Sequence, residues 1–151
     1  MQVLVIKIDF KAAAKRHFAG AEVLLASQSH TASAGQLYGF TAECGLKALL
    51  VAHGLPTEPD GDIRKRPATG YREHMPKLSQ AITNLTVFPD GRAATRYISM
   101  LTNLADFDDW LIDHRYWDEP VLPLASVPSW REAARQVNAM LDAATVDGVM
   151  T

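Results

Sequence analysis

The segment "TASAGQLYGFTAECGLKALLVAHG", residues 31–54, limits the possible folds of this chain more than any other. Leu37, Phe40, Cys44, Ala48 and Val51 fall on one helical stripe, and Leu46, Leu49 and Leu50 form a second. A helix apolar on most of its sides must be covered by several neighbours, so the pattern predicts a central, buried helix. Thr31 or Ser33 offers an N-cap, and Gly54 with Pro56 stops the helix. Gly35, Gly39 and Gly45 each forfeit roughly 1 kcal/mol of helix propensity against alanine, a loss that close approach of another helix would offset. The segment is too long to read as strands.

The flanking sequence keeps the same period. Phe10, Ala14, His17, Ala21, Leu24 and Gln28 repeat at three- and four-residue steps behind Asp9, a good N-cap, and predict a helix over 9–29. Met75, Leu78, Ile82 and Leu85, with Pro76 in the first turn, predict a third helix, followed by a turn at "FPDG", 88–91. Ala94, Tyr97, Ile98, Leu101 and Leu104 predict a fourth, running on toward Trp110. "EPVLPLASVP" reads as extended loop. Ser129 and Glu132 in "SWRE" read as a capping box, behind which Trp130, Ala133, Val137, Met140, Leu141 and Ala144 mark the last helix. The expected fold is all-α, an up-and-down bundle of four to five helices in a single domain spanning 1–151, its core at about 9–145.

Two stretches stand apart from this pattern. Residues 55–70, "LPTEPDGDIRKRPATG", form a polar loop of unusual length, expected to be mobile or functional. Its Arg64–Lys65–Arg66 cluster is either solvated surface or a phosphate contact. The opening "MQVLVIKIDF" reads as a short strand, because Val3, Val5, Ile6 and Ile8 are β-branched, or as the lead into the first helix. It lacks a basic leader and carries Lys7 and Asp9, so neither a signal peptide nor a membrane span is expected.

Composition removes several function classes. A net charge of −2 gives no global basic field to draw nucleic acid. Cys44 is the only cysteine, which excludes an internal disulfide and a cysteine-built zinc site and favours a reducing, cytoplasmic setting. No HExxH, P-loop, GxGxxG or GxSxG motif is present, and neither a metal nor a cofactor is expected.

Chemistry concentrates in "DDWLIDHRYW", residues 108–117. If the stretch is helical, residues 109 and 113, 110 and 114, and 112 and 116 share faces. Arg115 can grip a phosphate bidentately, His114 can titrate near neutrality, and Tyr116 or Trp117 can stack on a base. The competing reading packs Trp110 and Tyr116 into the core and pairs Arg115 with an acid. Glu43 and Lys47 stand one turn apart on the central helix, where burial demands partners, and a Glu43–Arg115 link between that helix and the late aromatic segment is expected. His17 reads as a boundary residue, His53 as a helix-end residue favoured by the dipole, and His74 as part of the third helix's first turn.

In order along the chain, "KAAAKRHFAGAEVLL", "AGQLYGFTAECGLKALL", "YREHMPKL" and "FDDWLIDHRYW" resemble a bacterial HEPN-domain protein (higher eukaryotes and prokaryotes nucleotide-binding). "LYGFTAECGLKALL" at 37–50 carries most of the likeness, followed by the tryptophan with its late Arg-Tyr pair. The resemblance implies a helical bundle, usually homodimeric with a central cleft. It also implies membership of defence or toxin–antitoxin type systems, as a metal-independent ribonuclease, as the target of a nucleotidyltransferase, or as a non-catalytic nucleotide or partner binder. Ribonuclease members carry an arginine followed after four to six residues by a histidine. This chain does not: Arg64 and Arg72 stand at the wrong spacing before His74, Arg16 abuts His17, and no histidine follows Arg115. Arg92 precedes Tyr97 at that spacing, which reads as chance.

The expected function is therefore a non-catalytic nucleotide- or RNA-binding or partner module, with Arg115, Glu43, Lys47 and Trp117 as ligand-binding residues. The alternatives are a ribonuclease with a rearranged His114/Arg115/Tyr116 site and a structural oligomerisation domain. A binder needs Arg115 open beside an aromatic wall. A nuclease needs His114 and Arg115 convergent in an open cleft. A structural module would lock Arg115 to an acid.

Overall fold

A computed structural model describes residues 3–82 and 91–151, without the side chain of Arg92. The turn expected at 88–91, the far end of the third predicted helix at Leu85 and the side chain of Arg92 lie outside the described residues. The described residues form five α-helices: α1 (Phe10–Ala26), α2 (Thr31–Ala52), α3 (Lys77–Ala81), α4 (Gly91–Ile98) and α5 (Val127–Val146). Among the described residues there is no β-strand, only an isolated antiparallel bridge between Thr57 and Ile63. Among the described residues no helix is long and apolar enough to cross a membrane.

Helices α1, α2 and α5 form the core. Contacts fix their directions. Lys47 lies over the Phe10 ring, His17 meets Phe40 and Phe18 meets Tyr38, so α1 and α2 run antiparallel across their tight turn. Gly35 meets Val127 and Trp130 while Gly45 meets Val137 and Leu141, so α2 and α5 run parallel. Parallel neighbours need a long crossover, and residues 53–126 provide it. The bundle is thus all-helical, but its two most buried helices are not successive up-and-down neighbours.

Helix α2 is the central helix, buried along most of its length from Ala34 to Leu50. Gly35 and Gly45 meet α5, as expected of close helix approach, whereas a Cβ on Gly39 would collide with the indole of Trp110, which lies in extended backbone rather than on a helix. Trp110, fully buried, donates its indole N–H to the Gly35 carbonyl at 3.1 Å. Asp9 caps α1 by accepting the Ala12 N–H at 2.9 Å.

Several local expectations are corrected. Neither Thr31 nor Ser33 caps α2; His30 occupies the N-cap without a side-chain bond. The Ser129/Glu132 capping box does not form, because α5 starts earlier, at Val127 with Pro128 in its first turn, and Glu132 pairs with Arg135. Pro76 precedes α3 rather than sitting inside it. Helix α4 stops at Ile98 and does not reach Trp110: Ser99 Oγ takes the Arg96 carbonyl, and Asn103 N–H goes to Gln136 Oε1 on α5. Side chains here compete with the helical ladder for backbone groups. The chain then descends through four 3₁₀ turns, Leu104–Asp109, Ile112–Tyr116, Glu119–Val121 and Leu124–Ser126. Residues 108–117 are consequently not one helix; Trp110 and Leu111 are extended between two turns, and the face-sharing expected of that stretch does not apply.

The long loop is packed. Leu55, Ile63 and Tyr71 are buried, and Glu58 Oε1 accepts the Lys65 N–H at 3.0 Å. Arg64, Lys65 and Arg66 face solvent. The opening segment is not a strand: it is exposed from Val3 to Lys7 and tied down where Ile8 N–H meets the Asp60 carbonyl at 2.7 Å.

Candidate functional site

The sequence-marked polar residues fall into two separate places. The first is on the middle of α2. Glu43, whose side chain is 9% exposed, accepts from His74 Nδ1 at 2.6 Å and lies 3.7 Å from the Lys47 ammonium, also 9% exposed. His74 comes from the segment ahead of α3 and remains half in water. Arg72 and Asp62 pair beside it at 2.8 Å. The Glu43–Arg115 link is therefore corrected. The late segment crosses α2 over Gly35–Gly39, ahead of Glu43, so the loop's histidine reaches the carboxylate instead. His74, read as part of a helix's first turn, is the partner that the sequence reading missed.

Neighbouring groups make this cluster a quiet one. Burial pushes the Cys44 thiol up to about 11, with the Glu43 charge adding to it, so a reactive thiolate is suppressed at neutral pH. Burial also lowers the His17 pKa, helped by Arg16, and the ring packs on Phe40 as a boundary residue should. His53 closes α2 with its Nδ1 2.8 Å from the Leu49 carbonyl. Among the described residues no group of three or more His, Cys, Asp or Glu side chains could hold a metal ion.

The second place is a cavity of about 430 Å³ between the start of α2 and the late segment. Ala32, Ser33, Gln36 and Leu37 of α2 form one wall. His114, Arg115, Trp117 and Glu119 form the opposite one, and Trp130 with Leu122–Leu124 closes it. The size is in the range of small-molecule pockets, and the mixture of aromatic walls with a few polar groups matches their composition.

Local structure explains the placement. The Ile112–Tyr116 turn is pinned by Gln36 Nε2, which donates to the Ile112 carbonyl at 3.2 Å. His114 Nδ1 accepts the Leu111 N–H at 3.3 Å, which leaves the hydrogen of the neutral ring on Nε2. The ring stacks on Trp130, with centroids 6.0 Å apart, and meets Trp117 edge-on at 4.6 Å. Burial lowers the His114 pKa; Asp109 and Asp113 oppose it. Asp109 itself accepts from Trp130 Nε1 at 2.8 Å and from Ser126 Oγ, fixing the cavity's back wall.

Arg115 makes no ion pair among the described residues; its guanidinium rests over the Tyr116 ring at 4.7 Å. Tyr116 is 75% exposed and does not line the cavity, so of the two aromatics expected to stack, Trp117 is the one in position. Of the four expected ligand-binding residues the cavity gathers Arg115 and Trp117, whereas Glu43 and Lys47 belong to the other cluster. Glu119, Ser33, Gln36 and the Leu122–Leu124 wall were not anticipated. Only the Leu122–Leu124 wall had a signal in the sequence, the apolar, proline-rich "EPVLPL" just after the aromatic run.

No protein-family model, no curated protein and no solved structure matches this chain.

Proposed function

We propose that this protein is a HEPN-like, non-catalytic nucleotide- or RNA-binding module of a defence or toxin–antitoxin type system. The carrying observation is Arg115, a guanidinium with no acid partner among the described residues, at a cavity walled by Trp117, His114 and Trp130. An open arginine takes a phosphate through paired N–H donors, and an indole face stacks on any base. The HEPN-like reading gains support from three resembling segments meeting on α2: the α1–α2 hairpin, His74 of "YREHMPKL" on Glu43, and the late aromatic run over Gly39. A cytoplasmic homodimer with a nucleotidyltransferase or antitoxin partner belongs to the same proposal.

The rearranged ribonuclease has less support. Its Tyr116 stands away from the cavity, and His114 has one ring nitrogen committed to the backbone with the ring held between two tryptophans. A purely structural module would have Arg115 bound to an acid.

The test is a titration with mixed short RNA, without metal, following tryptophan fluorescence. Saturable quenching by wild type, weakened at least tenfold in Arg115→Ala with unchanged circular dichroism, is expected. Absence of binding overturns the proposal. So does metal-free cleavage lost in both Arg115→Ala and His114→Ala.

A further inference from the structure

The cavity holds a cation and an anion on its walls without pairing them. Arg115 and Glu119 both line it, and no ion pair joins them among the described residues. Glu119 opens the 3₁₀ turn Glu119–Val121, one turn beyond the segment that presents Arg115 and Trp117. Opposite charges on one small cavity, left apart, suit a ligand that is itself two-ended: an anionic group for Arg115, a donor-bearing edge for Glu119, and a flat apolar part between for Trp117 and the leucine wall.

The other polar groups narrow the donor end. An ionised carboxylate only accepts hydrogen bonds. Gln36 commits one hydrogen of its amide N–H₂ to the Ile112 carbonyl, and Oε1 is a second acceptor with capacity to spare. Glu119 and Gln36 Oε1 are the cavity's acceptors, set against donors at Arg115, the His114 Nε2–H and the Trp117 indole N–H, with the Ser33 hydroxyl able to do either.

Among the four bases this pattern separates one. Guanine carries two adjacent donors, N1–H and N2–H₂, which a carboxylate accepts together. Adenine and cytosine each put a ring-nitrogen acceptor beside their amino group, so a carboxylate gains one bond and meets one lone pair. Uracil sets its single N3–H between two carbonyls. A carboxylate that faces a lone pair gains less from that ligand than from one that offers it two donors.

We infer that the cavity selects a guanine nucleotide, Glu119 reading the base's two-donor edge and Arg115 holding its phosphate. This rests on the nucleotide-binding reading above. The shared chemistry is guanosine with a phosphate, whether free or within RNA.

The test measures binding of GMP, AMP, CMP and UMP separately by calorimetry, beside a G-containing and a G-free RNA tetranucleotide. GMP is expected to bind at least tenfold more tightly than the other three. In Glu119→Gln, whose amide replaces one acceptor by a donor, that preference should fall to within about threefold as GMP weakens and AMP, whose ring nitrogen gains a donor, tightens. The G-containing tetranucleotide binding more tightly than GMP would point to RNA as the source, and the reverse to the free nucleotide; both support the inference. Equal binding of all four nucleotides, or a GMP preference that survives Glu119→Gln, overturns the inference and leaves nucleotide binding intact. Binding of none of the ligands overturns both.

Discussion

Glu43 and Arg115 are charged residues that the sequence marks with equal force, and they end in opposite situations. Glu43 is buried and used: His74 and Lys47 surround it, and the carboxylate ties the loop to the central helix. Arg115 is exposed and makes no ion pair among the described residues; its guanidinium rests over the ring of its neighbour Tyr116. A buried charge must be satisfied for the chain to fold at all, so its partners report on stability. A charge that the fold leaves without a partner beside a cavity is available to something else.

That contrast predicts which substitutions hurt what. Glu43→Gln removes the charge that His74 and Lys47 face and leaves a buried ammonium without its partner. Chemical denaturation should show a loss of about 3 kcal/mol, toward the low end for breaking a buried pair because His74 is half in water. Arg115→Ala should alter stability by less than about 0.5 kcal/mol in the same measurement. Equal losses in the two variants would erase the distinction between them.

A smaller effect concerns His114, which lies in the cavity yet is built into the fold. Its folded pKa lies below the ordinary 6.5 because burial opposes the charged ring. The unfolded chain then binds the proton first, so stability is full above about pH 6.5 and declines as the pH falls toward the folded value. His17 is lowered in the same direction and contributes to the same decline. Thermal melts between pH 7.5 and 5 should show Tm falling with acid, and His114→Gln should flatten part of that slope. A slope identical to wild type would remove His114 from the folded framework.

The smallest effect is on the surface. Glu22 accepts both Arg131 donors at 2.8 Å and the Tyr38 hydroxyl at 2.7 Å, joining α1 to α5. The arginine holds the Glu22 carboxyl below its usual range. The Arg131 side chain is half in water and that of Glu22 close to a third, so a double-mutant cycle with Glu22→Gln and Arg131→Gln should return at most about 1 kcal/mol. Salt at 1 M should remove most of it.

The parts of the fold visible in sequence are those built by periodicity alone. Helices α1, α2 and α5 each have an apolar stripe that tertiary packing simply fills, and the glycines of α2 announced their close contacts. The region from 99 to 126 was misread because Leu101 and Leu104 keep helical spacing while the backbone does not. Asn103, Gln136 and Ser99 take the backbone groups that a helix would have used. The candidate site was half visible for the same reason. Arg115 and Trp117 stand in an unusual run, whereas Glu119 and Gln36 acquire meaning only once irregular turns bring them to one cavity. His74 as the partner of Glu43 depends on a loop path that no local pattern encodes.

The seat of Trp110 on Gly39 also bears on how this sequence can diverge. A Cβ at position 39 would meet the indole itself, with the backbone of α2 fixed behind it. Neither position can change first without damage: alanine at 39 displaces the tryptophan, and a smaller residue at 110 leaves a hole over the glycine. The two residues, 71 positions apart, form a single inherited unit. Any lineage that replaces one is expected to have replaced the other, and the shape of the nearby cavity would shift with the pair.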